Sequence, residues 1–169
     1  VLNLMEKNKA YSVERDVFPK LINNNFDAYI EENAYWIDIG TPDKYKKINR
    51  DILDKKITDV MEYVKLKGKN TVKHESAKIQ KPACIGDGCI IKENADIGKF
   101  SILGKNCVIN KGSIVEGCIL WDKVIVEEGC FLKDCIICSN IKISKNSSLT
   151  DVIIGADVPE NKSSESRCK

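Results

Sequence analysis

From Ile79 onward, a branched aliphatic residue recurs at every sixth position: Ile79, Ile85, Ile91, Ile97, Leu103, Ile109 and Val115. Beyond Val115 the register slips in a regular order, through Leu120, Val126, Leu132, Ile137, Ile143, Leu149 and Ile154. The steps there are 5, 6, 6, 5, 6, 6 and 5, so each three-step unit is one residue shorter than the units before it. This stacks Val115, Leu132 and Leu149 on one another, then Leu120, Ile137 and Ile154, then Val126 and Ile143. A second register lies four positions behind the first. It holds the small residues Ala83, Cys89, Ala95, Ser101, Cys107 and Ser113, with Cys118, Cys130, Cys135 and Ser147 in similar places later. Gly86, Gly98, Gly104 and Gly155 each follow an aliphatic position directly.

A period of six fits neither the turn of an α-helix nor the simple alternation of an ordinary strand. It fits a triangular coil built of short strands and tight corners, one hexad per side. The aliphatic residue points inward and stacks on its equivalents. The small residue also points inward, where the prism narrows. Each inward aliphatic contributes ~1.5–3 kcal/mol of burial, and each coil pairs its backbone with the next. Gly, Asn and Asp suit corners where φ is positive. The expected fold is therefore mainly β, a left-handed parallel β-helix over residues 78–158.

The segment before it, residues 1–54, carries mixed patterning. Ser12 is placed to cap a short helix with Val13, Val17, Phe18, Leu21 and Ile22 on one face, which Pro19 kinks or restarts. Asn23-Asn24-Asn25 reads as a turn. Phe26 to Ile30 and Ala34 to Ile37 read as two strands of a hairpin. Thr41 as N-cap and Pro42 at the first helical position open a second helix, with Tyr45, Ile48, Ile52 and Leu53 on its apolar face. Such a piece is too small for a large core of its own. We read residues 1–54 as the closing edge of a larger α/β domain, 55–77 as a Lys-rich linker, and 159–169 as a polar tail. Ile57, Val60, Met61 and Val64 give the linker helical spacing.

Composition narrows the picture little. The chain has 169 residues, 43% hydrophobic and 31% charged, with a net charge of +2, so nothing demands nucleic acid as a partner. It has no signal peptide pattern and no apolar run of about 18 residues, so no membrane partner is expected. Eight cysteines invite a disulfide or metal reading. Five of them fall on the small buried register, which favours free core thiols in a reducing cytoplasm.

Two segments carry a family resemblance. Ser12-Val13-Glu14-Arg15-Asp16-Val17-Phe18-Pro19-Lys20-Leu21 and Tyr35-Trp36-Ile37-Asp38-Ile39-Gly40-Thr41-Pro42-Asp43-Lys44-Tyr45 resemble sugar-1-phosphate nucleotidyltransferases, above all mannose-1-phosphate guanylyltransferases. Gly117-Cys118-Ile119-Leu120-Trp121-Asp122 resembles a coil of the β-helix that follows in those enzymes. The resemblance implies an α/β Rossmann-like catalytic domain whose C-terminal edge is residues 1–54. It also implies transfer of a nucleotidyl group from a nucleoside triphosphate to a sugar 1-phosphate, with pyrophosphate leaving. In that family Mg²⁺ bridges the phosphates, and the carboxylate of the W-x-D-x-G-T turn helps hold it; that position is Asp38 here. The family's triphosphate-cradling loop, second metal carboxylate and sugar-contacting loop have no counterpart in this sequence. The expectation is a C-terminal portion of such an enzyme, inactive alone, meeting nucleotide and sugar through an N-terminal part. Its β-helix would serve homo-oligomeric assembly or regulation.

Other constellations weigh less. Cys135-Ile136-Ile137-Cys138 lies inside the repeat, with no second ligand pair nearby, and reads as part of a coil. Cys84 and Cys168 read as exposed. A hexapeptide acyltransferase is the main rival enzyme class and needs a histidine base. The single histidine, His74, precedes the expected first coil, and no long loop interrupts the repeat. A non-catalytic scaffold or regulatory subunit is the third reading, with Trp121, Val124, Ile125 and Phe131 as its candidate contact face. Related subunits of a translation initiation exchange factor share the architecture; Trp36-Ile37-Asp38-Ile39-Gly40-Thr41-Pro42 favours the enzyme family over them.

Overall fold

The computed structural model describes residues 1–24, 26–58, 60–61, 63–64 and 66–155. The polar tail at 159–169, with Cys168 in it, and the end of the expected β-helix at 156–158 lie outside the described residues. The chain divides into two compact units, Val1–Trp36 and Ile37–Lys169.

The second unit is dominated by three five-stranded parallel sheets that face one another as the sides of a prism. The first face holds Val72–Lys73, Ile90–Ile91, Val108–Ile109, Ile125–Val126 and Lys142–Ile143. The second holds Lys78–Ile79, Asp96–Ile97, Ile114–Glu116, Phe131–Lys133 and Ser148–Thr150. The third holds Cys84–Ile85, Ile102–Leu103, Ile119–Leu120, Ile136–Ile137 and Ile153–Ile154. The chain visits the faces in turn, so each strand pairs with its equivalent one coil away. Asp96 pairs with Ile114, and Ile114 with Phe131 across a coil one residue shorter, as the slip in the aliphatic register requires. Ile91, Ile97, Leu103, Ile109, Val115, Leu120, Val126, Leu132 and Ile137 all lie within the buried core.

The β-helix begins earlier than residue 78. Lys67 bridges to Ile85, and Val72–Lys73 pairs with Ile90–Ile91, so residues 67–77 of the expected linker belong to the first coil. Lys67 and Lys73 take the inward register positions there and are exposed. Among the described residues no strand pairs with the outer edge of this coil, so an ammonium at these positions stays at the surface. Upstream, the described residues among 57–64 form no helix; turn bonds such as Met61 N–H to Thr58 O are found there.

The small register has a second role that volume alone does not explain. Its hydroxyls and thiols donate to backbone carbonyls of the following coil: Ser101 Oγ to Val115 O at 2.9 Å, Ser113 Oγ to Glu127 O at 2.7 Å and Cys130 Sγ to Ser144 O at 3.1 Å. Ser113 Oγ also accepts from the Cys130 N–H at 3.2 Å. Ser113→Ala strands both partners inside the prism, so a loss of ~1–3 kcal/mol is expected. Ser113→Cys, with the donor that Cys130 already uses, should lose less than half as much. Urea melts of the two variants check the ordering.

From residue 84 onward each corner adopts left-handed backbone at one residue, with Asn94, Asn106, Asn140 and Asn146 at φ 55–63°. Two corners depart from the Gly, Asn and Asp rule: Phe100 at φ 61° and Lys123 at φ 60°. A side chain as bulky as Phe is strained there by ~1–2 kcal/mol.

Among the described residues of the second unit, one α-helix precedes the coils, Pro42–Leu53. Thr41 caps it, its hydroxyl accepting from the Lys44 N–H at 3.4 Å, with Pro42 in the first turn as the sequence requires. Leu53 is buried, while Tyr45, Ile48 and Ile52 are half-buried. In the first unit, Ser12 accepts from the Arg15 N–H at 3.3 Å and caps a single π-helical turn, Val13–Val17. The chain then restarts as a short α-helix, Phe18–Leu21, with Pro19 in its first turn. The hairpin expected from Phe26–Ile30 and Ala34–Ile37 does not form; neither segment pairs as a strand. An isolated two-stranded hairpin is marginal without a further strand or a helix to cover it.

Candidate functional site: the corner that receives the capped helix

The corner between the second and third faces carries Phe100, Gly117, Asp134 and Asp151 on successive coils, all at positive φ. The helix Pro42–Leu53 is fastened to this corner by two ion pairs. Arg50 Nη2 lies 2.5 Å from Asp134 Oδ1, and Lys46 Nζ lies 2.5 Å from Asp151 Oδ1. Lys46 also pairs with Asp43 at 3.3 Å, and its side chain is only 15% exposed. Its ammonium is held above the usual lysine range, chiefly by the hydrogen bond to Asp151, against a burial cost. Asp151 is correspondingly held below the usual carboxylate range by Lys46. A Cβ at position 117 would collide with Asp134 Oδ1 and stand 3.3 Å from Arg50 Nη2, so Gly117 leaves room for the pair.

A cleft of about 690 Å³ opens here. Its lining includes Lys46, Lys47, Arg50, Asp51, Phe100, Asp134 and Asp151. Asp51 is buried at 3% exposure and is hydrogen-bonded by Lys47 and by Lys56. On the third face Ile119 and Ile136 point away from the prism core, yet both are buried. That face is covered, on the side of the corner that Arg50 and Lys46 reach.

The Arg50–Asp134 pair is partly exposed, so its coupling is small. A double-mutant cycle with Arg50→Ala and Asp134→Ala should give ~0.2–1 kcal/mol, falling with added salt. A coupling indistinguishable from zero at low salt would remove the pair from the account of docking.

Asp38 sits two residues before the turn into this helix. Its Oδ1 accepts from the Gly40 N–H at 3.2 Å, and its Oδ2 pairs with Lys44 Nζ at 3.2 Å. It therefore braces the turn and, at 57% exposure, also faces water. Magnesium takes six oxygens and keeps one or two carboxylates among them. Among the described residues no three His, Cys, Asp or Glu side chains converge. A lone carboxylate already neutralised by an ammonium does not fit that ion, and no step is derived through it.

The remaining candidates are dispersed. His74 is not ahead of the coils but at a corner of the first one, its N–H donating to Ile91 O. Its Nδ1 lies 2.8 Å from Ser76 Oγ and accepts from the Ser76 N–H at 3.2 Å. Cys84 is half-buried rather than exposed, and burial pushes its thiol up. Cys135 is buried in the prism while Cys138 is half-buried, and neither belongs to a metal cluster among the described residues. The expected contact face does not exist as one surface. Val124 is fully buried because, one shortened coil after Cys107, it takes the interior small position above it. Ile125 lies on the first face, Phe131 on the second, and Trp121 follows the third. Sequence reasoning missed Lys46, Arg50, Asp134 and Asp151, which are dispersed charges until the coil count aligns the two aspartates.

Fold and ladder together define a left-handed parallel β-helix of hexapeptide repeats with about five turns. Residues 63–163, more than half of the chain, match the family described as the EIF2B subunit epsilon LbH domain, LbH denoting the left-handed β-helix. The chain belongs to that family. A comparison with curated protein sequences found no match. Among solved structures, the acetyltransferase domain of PglB from Neisseria gonorrhoeae is similar at 19% identity and a TM-score of 0.37, over 66% of this chain. The chain spans 62% of the length of that domain. A likeness at that level says nothing about activity. No helix among the described residues is long and apolar enough to cross a membrane.

Proposed function

We propose that this chain is the C-terminal portion of a sugar-1-phosphate nucleotidyltransferase, and that its β-helix is the platform that fixes the last helix of the catalytic domain. The observation that carries the reading is the fastening of helix Pro42–Leu53 to the corner aspartates by Arg50 and Lys46. That helix is the direct continuation of the turn bearing Asp38, so its position sets where the turn stands. The family membership supports the β-helix half of the reading, and the Tyr35-to-Tyr45 motif supports the enzyme half. GDP-mannose is the product the motif resemblance favours. Self-association through the β-helix belongs to the same proposal.

The test is a nucleotidyl transfer assay with mannose 1-phosphate and GTP on this chain and on the product of its complete reading frame. The expected result is activity of the second alone, reduced several-fold by Asp134→Ala with Asp151→Ala. Transfer by this chain alone, or none by the complete product with any of the common sugar 1-phosphates, would overturn the proposal. In the second case a scaffold or regulatory subunit would take its place.

A further inference from the structure

One outward aliphatic column of the prism stays uncovered. On the first face Val72, Ile90, Val108 and Ile125 stand above one another on the first four coils, and Lys142 ends the column on the fifth. The equivalent column of the third face is buried at Ile119 and Ile136, at 4% and 6% exposure, whereas Ile90 is 39% and Val72 62% exposed. On the second face Lys78 and Asp96 interrupt the column. A groove of about 680 Å³ lies beside Val72 and Ile90, with Glu75 and Lys92 in its lining. Both are exposed, and neither forms an ion pair among the described residues.

The charges of this face are arranged symmetrically about its third coil. Two residues beyond each outward position, on the same side of the strand, stand His74, Lys92, Asn110, Glu127 and Ser144. Lys92 on the second coil and Glu127 on the fourth are equally far from the third. Glu127 pairs with Lys142 at 2.8 Å. Consider a two-fold axis in the plane of contact, running along the strand Val108–Ile109. It exchanges the second coil with the fourth and the first with the fifth. Ile90 then lies on the second copy's Ile125, Val108 on Val108, and Val72 on the stem of Lys142. Lys92 meets Glu127 and Glu75 meets Lys142, so both unpaired charges find opposite ones. At one rim Lys105 meets its own copy, in a column where Asp87 and Asp122 flank it. A two-fold axis along the prism would instead set Lys142 against Lys142, and like charges directly opposed repel.

We propose that the first face is a self-complementary surface that takes a second copy of this chain, antiparallel, about the axis through Val108. It gives the self-association proposed above a surface and rests on that reading. Five coils ~4.8 Å apart, with sides of at most ~20 Å, make a face of under ~500 Å². That is short of the ~800 Å² per partner of a standard interface. The dimer is therefore weak, with a dissociation constant on the order of 10–100 μM.

The test is sedimentation equilibrium of the full chain at concentrations up to about 1 mM, where such a dimer is well populated. Val108→Asp places two carboxylates on the axis and should weaken the dimer at least about tenfold. Lys92→Glu should weaken it as well, and adding Glu127→Lys to Lys92→Glu should restore it. Circular dichroism checks the fold, and should Val108→Asp unfold, the Lys92→Glu pair of variants decides. Cross-linking reads the direction, with Cys84, Cys138 and Cys168 replaced by Ser. Two thiols close one disulfide, and diamide takes up their two hydrogens. A mixture of Val72→Cys and Lys142→Cys chains should cross-link, and Val72→Cys alone should not. A chain that stays monomeric throughout overturns this surface and the self-association together, and leaves the face to a different protein. A dimer that Val108→Asp and Lys92→Glu leave intact, or cross-linking by Val72→Cys alone, overturns this surface only.

Discussion

Gly86→Ala will destabilise the β-helix by about 3 kcal/mol or more, the combined result of overpacking at ~1–3 kcal/mol and weakened ladder bonds at ~0.5–1.5 kcal/mol each. A Cβ at this position would stand 2.5 Å from Gly104 O and 2.6 Å from Gly104 C, backbone atoms of the next coil. Carbon contacts settle at ~3.5–4.0 Å, so the two coils must part by roughly an ångström. They cannot part freely, because the Gly86 N–H donates to Leu103 O at 2.7 Å and Ile85 and Leu103 stack in the core beside it. Against a typical total of ~5–15 kcal/mol, that loss is a large fraction of the stability. The contrasting site is Gly112, whose Cβ would meet nothing within 4 Å and whose φ of +65° is the only objection to a side chain. Gly112→Ala should cost ~1–2 kcal/mol from left-handed backbone alone. Urea unfolding followed by circular dichroism separates the two. Equal losses would show that coil spacing is softer than the glycine row implies.

The glycine row also marks the boundary of what the sequence discloses. Gly86 and Gly104 were visible as residues that follow an aliphatic position, and the coil count placed one above the other. The aliphatic register was legible because each inward position reads the same physical constraint, a narrow apolar prism. The shortening of the coil by one residue was legible for the same reason, since one slip must be repeated by every later coil. The first coil was hidden because its inward positions hold Lys67 and Lys73, which the open end of the prism tolerates. Val124 was misplaced because a β-branched residue at the small register looks like an exposed strand residue until the slip is applied. The corner site was hidden for another reason. Arg50 meets Asp134 and Lys46 meets Asp151 across most of the β-helix sequence, and nothing local in either segment announces the partner. Asp38 was singled out by a motif, and the structure shows only its local role, with Gly40 and Lys44.

Ile109→Ala should destabilise the chain by about 3–4 kcal/mol, within the ~2–5 kcal/mol seen when a buried Ile is truncated, and Ile79→Ala by about 1 kcal/mol. Both residues hold the inward aliphatic position of their hexads, so composition and local pattern make them equivalent. Their surroundings do not. Ile109 is fully buried, with Ile91 stacked on one side and Val126 on the other. Ile79 has Ile97 on one side only and is half-buried at the open end. In a solenoid each coil contacts only its neighbours, so a central residue loses two interfaces and a terminal residue one. The cavity at position 109 is also enclosed by strands locked into two ladders, which limits collapse and keeps the penalty near the upper end of the range. Ile79→Ala opens towards water instead and leaves little void. Guanidinium unfolding of both variants reads the difference. Equal losses would mean that the residues before Lys67 cap the first coil as fully as a further coil would, and the open-end account of Lys67 and Lys73 would fall with it.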